Sequence, residues 1–185
     1  MQVERFFIGK VEISLVNMKT TLLVVNEMIR EQRYGYICVA NSRTTYLANH
    51  NSEYCRIQNN SILTVPDGFP LVWFAHNKGF KDVDKVSGKD LMDAIFAISE
   101  DKGYSHYFFG STPTTIKRLH INLQEKYPGL DIKGVVSPPF QEIEKFDVDS
   151  LAAQINQLKP TFFWCGLGAP KQEQLISLLQ PKLVA

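Results

Sequence analysis

No stretch of this chain stays apolar for the roughly 18 residues that a membrane-spanning helix needs. The N-terminus, MQVERFFIGKVE, carries charges through its apolar part and is not a secretion signal. Any meeting with a membrane is therefore expected at its surface. Cysteine is scarce: Cys38, Cys55 and Cys165 are odd in number and show no CxxC spacing. Cys38 and Cys165 lie inside apolar strand-like runs, which predicts buried free thiols and a reducing, cytoplasmic compartment. An excess of one charge is also missing, since 20 Lys and Arg face 19 Asp and Glu for a formal net charge of +1. That gives no global attraction to nucleic acid. His50, His76, His106 and His120 form no HxxxH or HExxH pattern, so no metal site is expected from them. There is no GxSxG element, internal repeat or low-complexity tract.

What the chain does have is a core-forming composition, 44% hydrophobic over 185 residues, which suits a single domain spanning 1–185. Short β-rich runs alternate with segments of helical period. Runs 4–8 and 11–15 suit a hairpin around Gly9-Lys10, followed by a helix over 18–31. Further strands are expected at 36–40, 62–65, 106–109, 130–136, 161–165 and, cut off mid-run, 182–185. Helices are expected over 43–51, 69–77, from the capping-box serine Ser87 to 102, from Thr112-Pro113 to the Pro128-Gly129 stop, 149–158 and 171–179. This order predicts an α/β, Rossmann-like fold, with a mostly parallel sheet flanked by helices on both faces and an N-terminal hairpin.

Ligands of such sheets bind outside the carboxyl ends of the strands. The residues there are Asn41, Asp67-Gly68, Gly110-Ser111, 137–140 and 166–173. Asp67, in TVPDGFPLVW, has two readings: a turn or capping aspartate, or a carboxylate presented at the ligand edge as a general base. Position alone favours the turn. Gly166-Leu167-Gly168-Ala169-Pro170-Lys171-Gln172-Glu173 is neither GxGxxG nor GxxxxGK. Its glycines let backbone approach a ligand, Pro170 opens a helix whose free N–H groups favour anions, and Lys171 adds positive charge. A plain strand-to-helix turn explains the same glycines. Gly110-Ser111-Thr112-Pro113 repeats the arrangement, and two such helix starts suit a diphosphate. Asp82-Val83-Asp84 and Asp147-Val148-Asp149 match the DxD of metal-dependent glycosyltransferases. A charged loop accounts for the first and a helix N-cap for the second. His120 reads as a half-buried packing residue.

Three blocks together go beyond pattern. PDGFPLVW with KVSGKDLM, then YFFGSTPTTIKRLHINLQEKYPGLDIKGVVSPPF, then PTFFWCGLGAPKQEQLI resemble, in order and spacing, the WecG/TagA/CpsF family of bacterial glycosyltransferases, glycosyltransferase family 26. The likeness covers nearly the whole chain. It implies a Rossmann-like domain and an inverting, metal-independent transferase with no cofactor. Such an enzyme moves sugar from a UDP-sugar to a polyprenyl-diphosphate-linked acceptor at the inner face of the cytoplasmic membrane. TagA-like members take UDP-N-acetylmannosamine and undecaprenyl-diphosphate-GlcNAc for wall teichoic acid. Relatives use UDP-N-acetylmannosaminuronate or UDP-glucose for common antigen or exopolysaccharide.

By position, Asp67 matches the family's proposed base and Asn41 an active-site asparagine, while Lys85 stands where arginine is usual. Gly166, Gly168, Pro170, Lys171, Gln172 and Glu173 match the nucleotide-side motif. Gly68, Gly110 and Ser111 complete the candidate substrate-binding set. Val39 replaces the family's threonine two residues before the asparagine, and relatives continue beyond the last strand with a basic, membrane-docking C-terminal appendage that this sequence lacks. A nucleotide-sugar-binding module without catalysis is the remaining alternative.

Overall fold

The computed structural model describes residues 3–184, and the chain divides into two compact units, Met1–Met92 and Asp93–Ala185. The first unit begins with β1 (Arg5–Ile8) and β2 (Val11–Ser14), paired antiparallel with Ile8 opposite Val11. Gly9-Lys10 is therefore a two-residue turn, and Gly9 takes a φ of +65°. The side chain of Asn49 closes on this turn, accepting from the Lys10 amide at 2.7 Å and donating to the Ile8 carbonyl at 3.1 Å.

Helix α1 (Met18–Arg30) starts where the Asn17 side chain accepts the Thr20 amide, and it buries Thr21, Val24, Val25 and Met28. Next come β3 (Ile37–Ala40), α2 (Ser42–His50), α3 (Ser52–Asn59), β4 (Leu63–Pro66) and α4 (Phe69–Asn77). Strands β3 and β4 pair in parallel, with Ala40 opposite Pro66. Phe6, Val11, Ile13, Ala40, Ala48, Tyr54, Leu71 and Ala75 belong to one buried cluster. The hairpin is thus part of this unit's core. Helix α5 (Gly88–Lys102) leads from the first unit into the second and stops at Gly103, whose φ is +67°.

The second unit continues with β5 (Ser105–Gly110), α6 (Pro113–Lys126), β6 (Asp131–Val136), α7 (Val148–Leu158), β7 (Phe162–Gly166) and α8 (Lys171–Leu179). Its sheet runs β6-β5-β7, all parallel, and every residue of central β5 is buried. Side chains on a strand alternate between faces. On one face His106 and Phe108 meet Phe96 of α5, which also meets Tyr127 at the end of α6. On the other, Tyr107 and Phe109 pack with Leu151 and Ile155 of α7 and Leu175 and Leu179 of α8. The expected α/β architecture, with helices on both faces and an antiparallel hairpin, is what the chain adopts. Among the described residues the strands fall into three hydrogen-bonded groups: β1-β2, β3-β4 and β6-β5-β7.

Two expectations are corrected. A helix, α3, fills 52–59, where none was expected: Asn51 ends α2 and at once caps α3 by accepting the Tyr54 amide at 2.9 Å. Residues 182–184 form no strand. A 3₁₀ turn (Gln180–Lys182) comes first, then Asn156 of α7 takes up the segment, donating to the Lys182 carbonyl and accepting the Val184 amide. Ala185 lies outside the described residues. All three cysteines are free; Cys38 and Cys55 are buried and Cys165 is half-buried. Among the described residues no helix is long and apolar enough to cross a membrane.

His106 is fully buried and serves as a polar rivet in this aromatic core. Its Nδ1 accepts the Trp164 indole N–H at 3.0 Å, so Nε2 bears the proton and faces Ser99 Oγ at 2.9 Å. Ser99 in turn donates to the Ile95 carbonyl. Burial pushes the imidazole pKa down to about 4, against a smaller opposing pull from Asp131. An unfolded histidine titrates near 6.5, so the unfolded chain takes up the proton first as pH falls. This stability is complete above about pH 6.5 and is lost as pH drops toward 4. Unfolding free energy followed by tryptophan fluorescence should fall by roughly 3 kcal/mol over that window from this group. His106→Gln should flatten the pH dependence.

Candidate functional site

In the first unit the parallel β3–β4 pair brings Asn41 and Asp67 to one edge, because each follows a register partner, Ala40 or Pro66. The Asp67 amide donates to the Ala40 carbonyl at 2.6 Å and extends the ladder by one rung. Asn41 then opens α2 through a capping box: its Oδ1 accepts the Thr44 amide at 3.0 Å while Thr44 Oγ1 accepts the Asn41 amide at 2.9 Å. That commits Oδ1 and leaves Nδ2 with no acceptor among the described residues.

Asp67 does not cap α4. The N-cap is Gly68, with φ +129° and ψ 151° and no side-chain cap bond. The Asp67 carboxylate is half-buried and makes no hydrogen bond or ion pair among the described residues. Gly68 occupies backbone space essentially reserved for glycine, which is how the chain turns into α4 directly after the carboxylate. The Val86 amide binds the Pro66 carbonyl at 2.8 Å, and Val83 and Val86 are buried. This holds exposed Lys85 next to the end of β4. Val39 is half-buried, and a Cβ at Gly88 would stand 3.7 Å from it, so the start of α5 lies close over β3.

In the second unit Gly110 and Gly166 are opposite residues at the ends of β5 and β7. A Cβ at Gly110 would fall 2.4 Å from the Gly166 carbonyl oxygen, and its φ is +135°. Ser111, at φ +61°, donates its amide to the same carbonyl at 3.0 Å and accepts from Ser137 Oγ at 2.8 Å. All three strand ends are thereby tied together, with the Ser111 side chain exposed. Thr112 caps α6 by accepting the Thr115 amide.

The segment 166–173 is more self-contained than its glycines suggest. The Gln172 side chain accepts the Gly168 amide at 3.0 Å and donates to Glu173 Oε1 at 2.9 Å. The Gln172 amide returns to the Gly168 carbonyl at 3.1 Å. Glu173 is buried, and Cys165 lies close to it: burial pushes that thiol up to about 12, with the Glu173 charge adding to the rise. Pro170 precedes α8 without a side-chain cap. Lys171 donates to the Gln141 carbonyl at 2.8 Å, stands 3.8 Å from Glu142 and lies 5.0 Å from the centre of the fully exposed Phe140 ring.

Sequence reasoning noted 137–140 as a strand end but missed that Ser137 and Gln141 would be tied to Ser111 and Lys171. Three of the four DxD aspartates are engaged elsewhere. Asp84 accepts the Lys85 amide, Asp147 caps α7 by accepting the Ser150 amide, and Asp149 pairs with Lys182 at 2.6 Å.

Residues 6–185 match a family model described as the glycosyl transferase WecG/TagA/CpsF family. The chain is also similar to the N-acetylglucosaminyldiphosphoundecaprenol N-acetyl-beta-D-mannosaminyltransferases of Staphylococcus aureus strains NCTC 8325 / PS 47, COL and MRSA252. Each is 24% identical over 180 residues, covering 94% of this chain and 69% of the relative.

Gly110→Ala should lower stability by at least about 1–3 kcal/mol, the usual strain of such backbone conformations. The clash with the Gly166 carbonyl adds to that strain. Gly68→Ala, where a Cβ meets nothing nearer than 3.7 Å, should show the conformational strain alone. Denaturant unfolding of both variants reads the difference.

Proposed function

The chain belongs to the WecG/TagA/CpsF family of glycosyl transferases, and from that premise we propose that it moves an N-acetylmannosamine-type sugar from a UDP-sugar to GlcNAc carried on a polyprenyl diphosphate. The activity for which its staphylococcal relatives are named supports both sugar and acceptor. The product would enter a teichoic acid or related surface polysaccharide. A lipid-linked acceptor would bring the enzyme, as a peripheral protein, to the inner face of the cytoplasmic membrane.

The observation that carries the reading is the Asp67 carboxylate. It sits half-buried at the carboxyl end of β4, beside Asn41, and has no capping or ion-pair duty among the described residues. In the proposed reaction Asp67 takes the proton from an acceptor hydroxyl as that oxygen attacks the anomeric carbon from the face opposite UDP. The bond from that carbon to the diphosphate oxygen breaks, UDP departs and the configuration inverts. The uncommitted Nδ2 of Asn41 is suited to orient the acceptor, and exposed Lys85 to meet phosphate charge.

The nucleotide is assigned to the second unit, at the edge formed by Gly110, Ser111, Gly166, Gly168 and Pro170. There the glycines let backbone come close to a ligand and α8 begins without a side-chain cap. Gln172, Glu173 and Lys171 hold the shape of that edge. Because each DxD triplet has an aspartate taken up by a turn or a helix cap, the reading gives charge stabilisation to backbone amides and lysines, with no metal required.

Asp67→Asn should lower turnover about 10²–10⁴-fold and leave UDP affinity unchanged, measured in a length of the chain that transfers sugar. Near-normal turnover would overturn the base assignment. UDP binding with no transfer by either form, over a panel of UDP-sugars, would favour a binding module. Turnover in EDTA should equal turnover in magnesium, and its loss would restore a DxD mechanism.

A further inference from the structure

Helix α4, FPLVWFAHN, carries no Asp, Glu, Lys or Arg, and its polar side chains, His76 and Asn77, are confined to the last turn. A helix of that kind ordinarily has apolar material all around it. Among the described residues one side is covered, that of buried Leu71, Val72 and Ala75. On the other side Phe69 is 74% and Trp73 55% exposed, four residues apart and so on one helical face. Pro70 is exposed as well.

The polar surroundings of this ridge are basic at the far end of the helix. Exposed Lys78, Lys81 and Lys85 follow α4, with Lys78 Nζ 5.6 Å from the Phe74 ring and Lys81 Nζ on the His76 carbonyl at 2.9 Å. Asp82 and Asp84 interrupt them, leaving three ammonium groups against two carboxylates along this segment. Two large exposed rings followed in the chain by three exposed lysines match the boundary layer of an anionic bilayer, where aromatic side chains and lysine stems settle while ammonium groups meet phosphate.

We propose that the Phe69–Trp73 face of α4, with Lys78, Lys81 and Lys85, is a docking surface for an anionic phospholipid bilayer. This deepens the functional reading above and rests on it for its biological sense. Phe69 is two residues beyond Asp67, so a helix resting on the headgroups would keep the base at the depth where a lipid-linked diphosphate lies. The choice of lipid over a second copy of the chain follows from the flanking lysines, which suit a negatively charged layer.

The test uses the full chain and vesicles of phosphatidylglycerol and phosphatidylcholine containing neither sugar nor prenyl lipid. Failure here is therefore separate from failure of the transferase assignment, which UDP titration in the same samples reads. The wild-type chain should co-sediment with these vesicles and hold less well to phosphatidylcholine alone. Its emission should be quenched by brominated acyl chains. Trp73→Phe should keep vesicle binding but lose most of that quenching, leaving the half-buried Trp164. The double variant Phe69→Ser with Trp73→Ser should bind about 10-fold more weakly or worse, the usual worth of hiding one such ring.

Absence of vesicle binding by the wild-type chain, or unchanged binding by the double variant, would overturn the proposal. So would quenching that persists in Trp73→Phe. A vesicle-indifferent wild-type dimer that the double variant dissolves, read by sedimentation velocity, would assign the ridge to a second copy instead.

Discussion

Parallel strands that stay in register must end at the same edge, and their next residues are then forced to be neighbours. Most of what can be said about this protein's chemistry depends on that constraint. Ala40 opposite Pro66 makes Asn41 and Asp67 neighbours, and Gly110 opposite Gly166 does the same for the two glycine-rich turns. Backbone that leaves such an edge must turn at once without wasting its peptide groups. The Asp67 and Ser111 amides each find a carbonyl on the adjoining strand end, and the turning is done by Gly68, Gly110 and Gly168 at positive φ.

Polar groups at these edges divide into those that build and those that are left over. Asn41 Oδ1, Thr112, Ser137, Gln172 and Lys171 all have protein partners that fix a turn, a cap or a loop. The carboxylate of Asp67 and the Nδ2 of Asn41 have none among the described residues. Both are fixed by their backbones while their polar ends stay uncommitted, which is the arrangement the proposed roles require. The same division runs through the DxD triplets, where Asp84, Asp147 and Asp149 have local partners.

Much of this was legible in the sequence because it was written in local signals. Thr112-Pro113 announces α6, Gly9-Lys10 the hairpin, and the apolar runs the strands whose ends carry the candidate residues. What escaped depended on side chains reaching across the fold. Asn51 serves two helices at once, so the polar stretch after it hid α3, whose buried side is Tyr54, Cys55, Ile57 and Gln58. The tail from Lys182 reads as a strand until Asn156 is seen to take the Lys182 carbonyl and the Val184 amide. Lys171 looks like a free cation in sequence, yet Gln141 and Glu142 come to it from a loop thirty residues earlier. The family resemblance supplied the weight that position alone denied Asp67, and the helix start at Gly68 removed the capping role that competed with it.

The closed loop between Gly168 and Gln172 has a chemical meaning of its own. Gln172 must accept from the Gly168 amide with its oxygen and donate to Glu173 with its nitrogen. Glutamate, which when ionised has no hydrogen-bond donor, satisfies the first demand and not the second, and it would set two carboxylates side by side next to Cys165. The turn therefore distinguishes an amide from an acid of nearly the same shape. Hydrolysis of that one amide, a change of a single mass unit, would remove the bond to Glu173 while leaving the two bonds to Gly168.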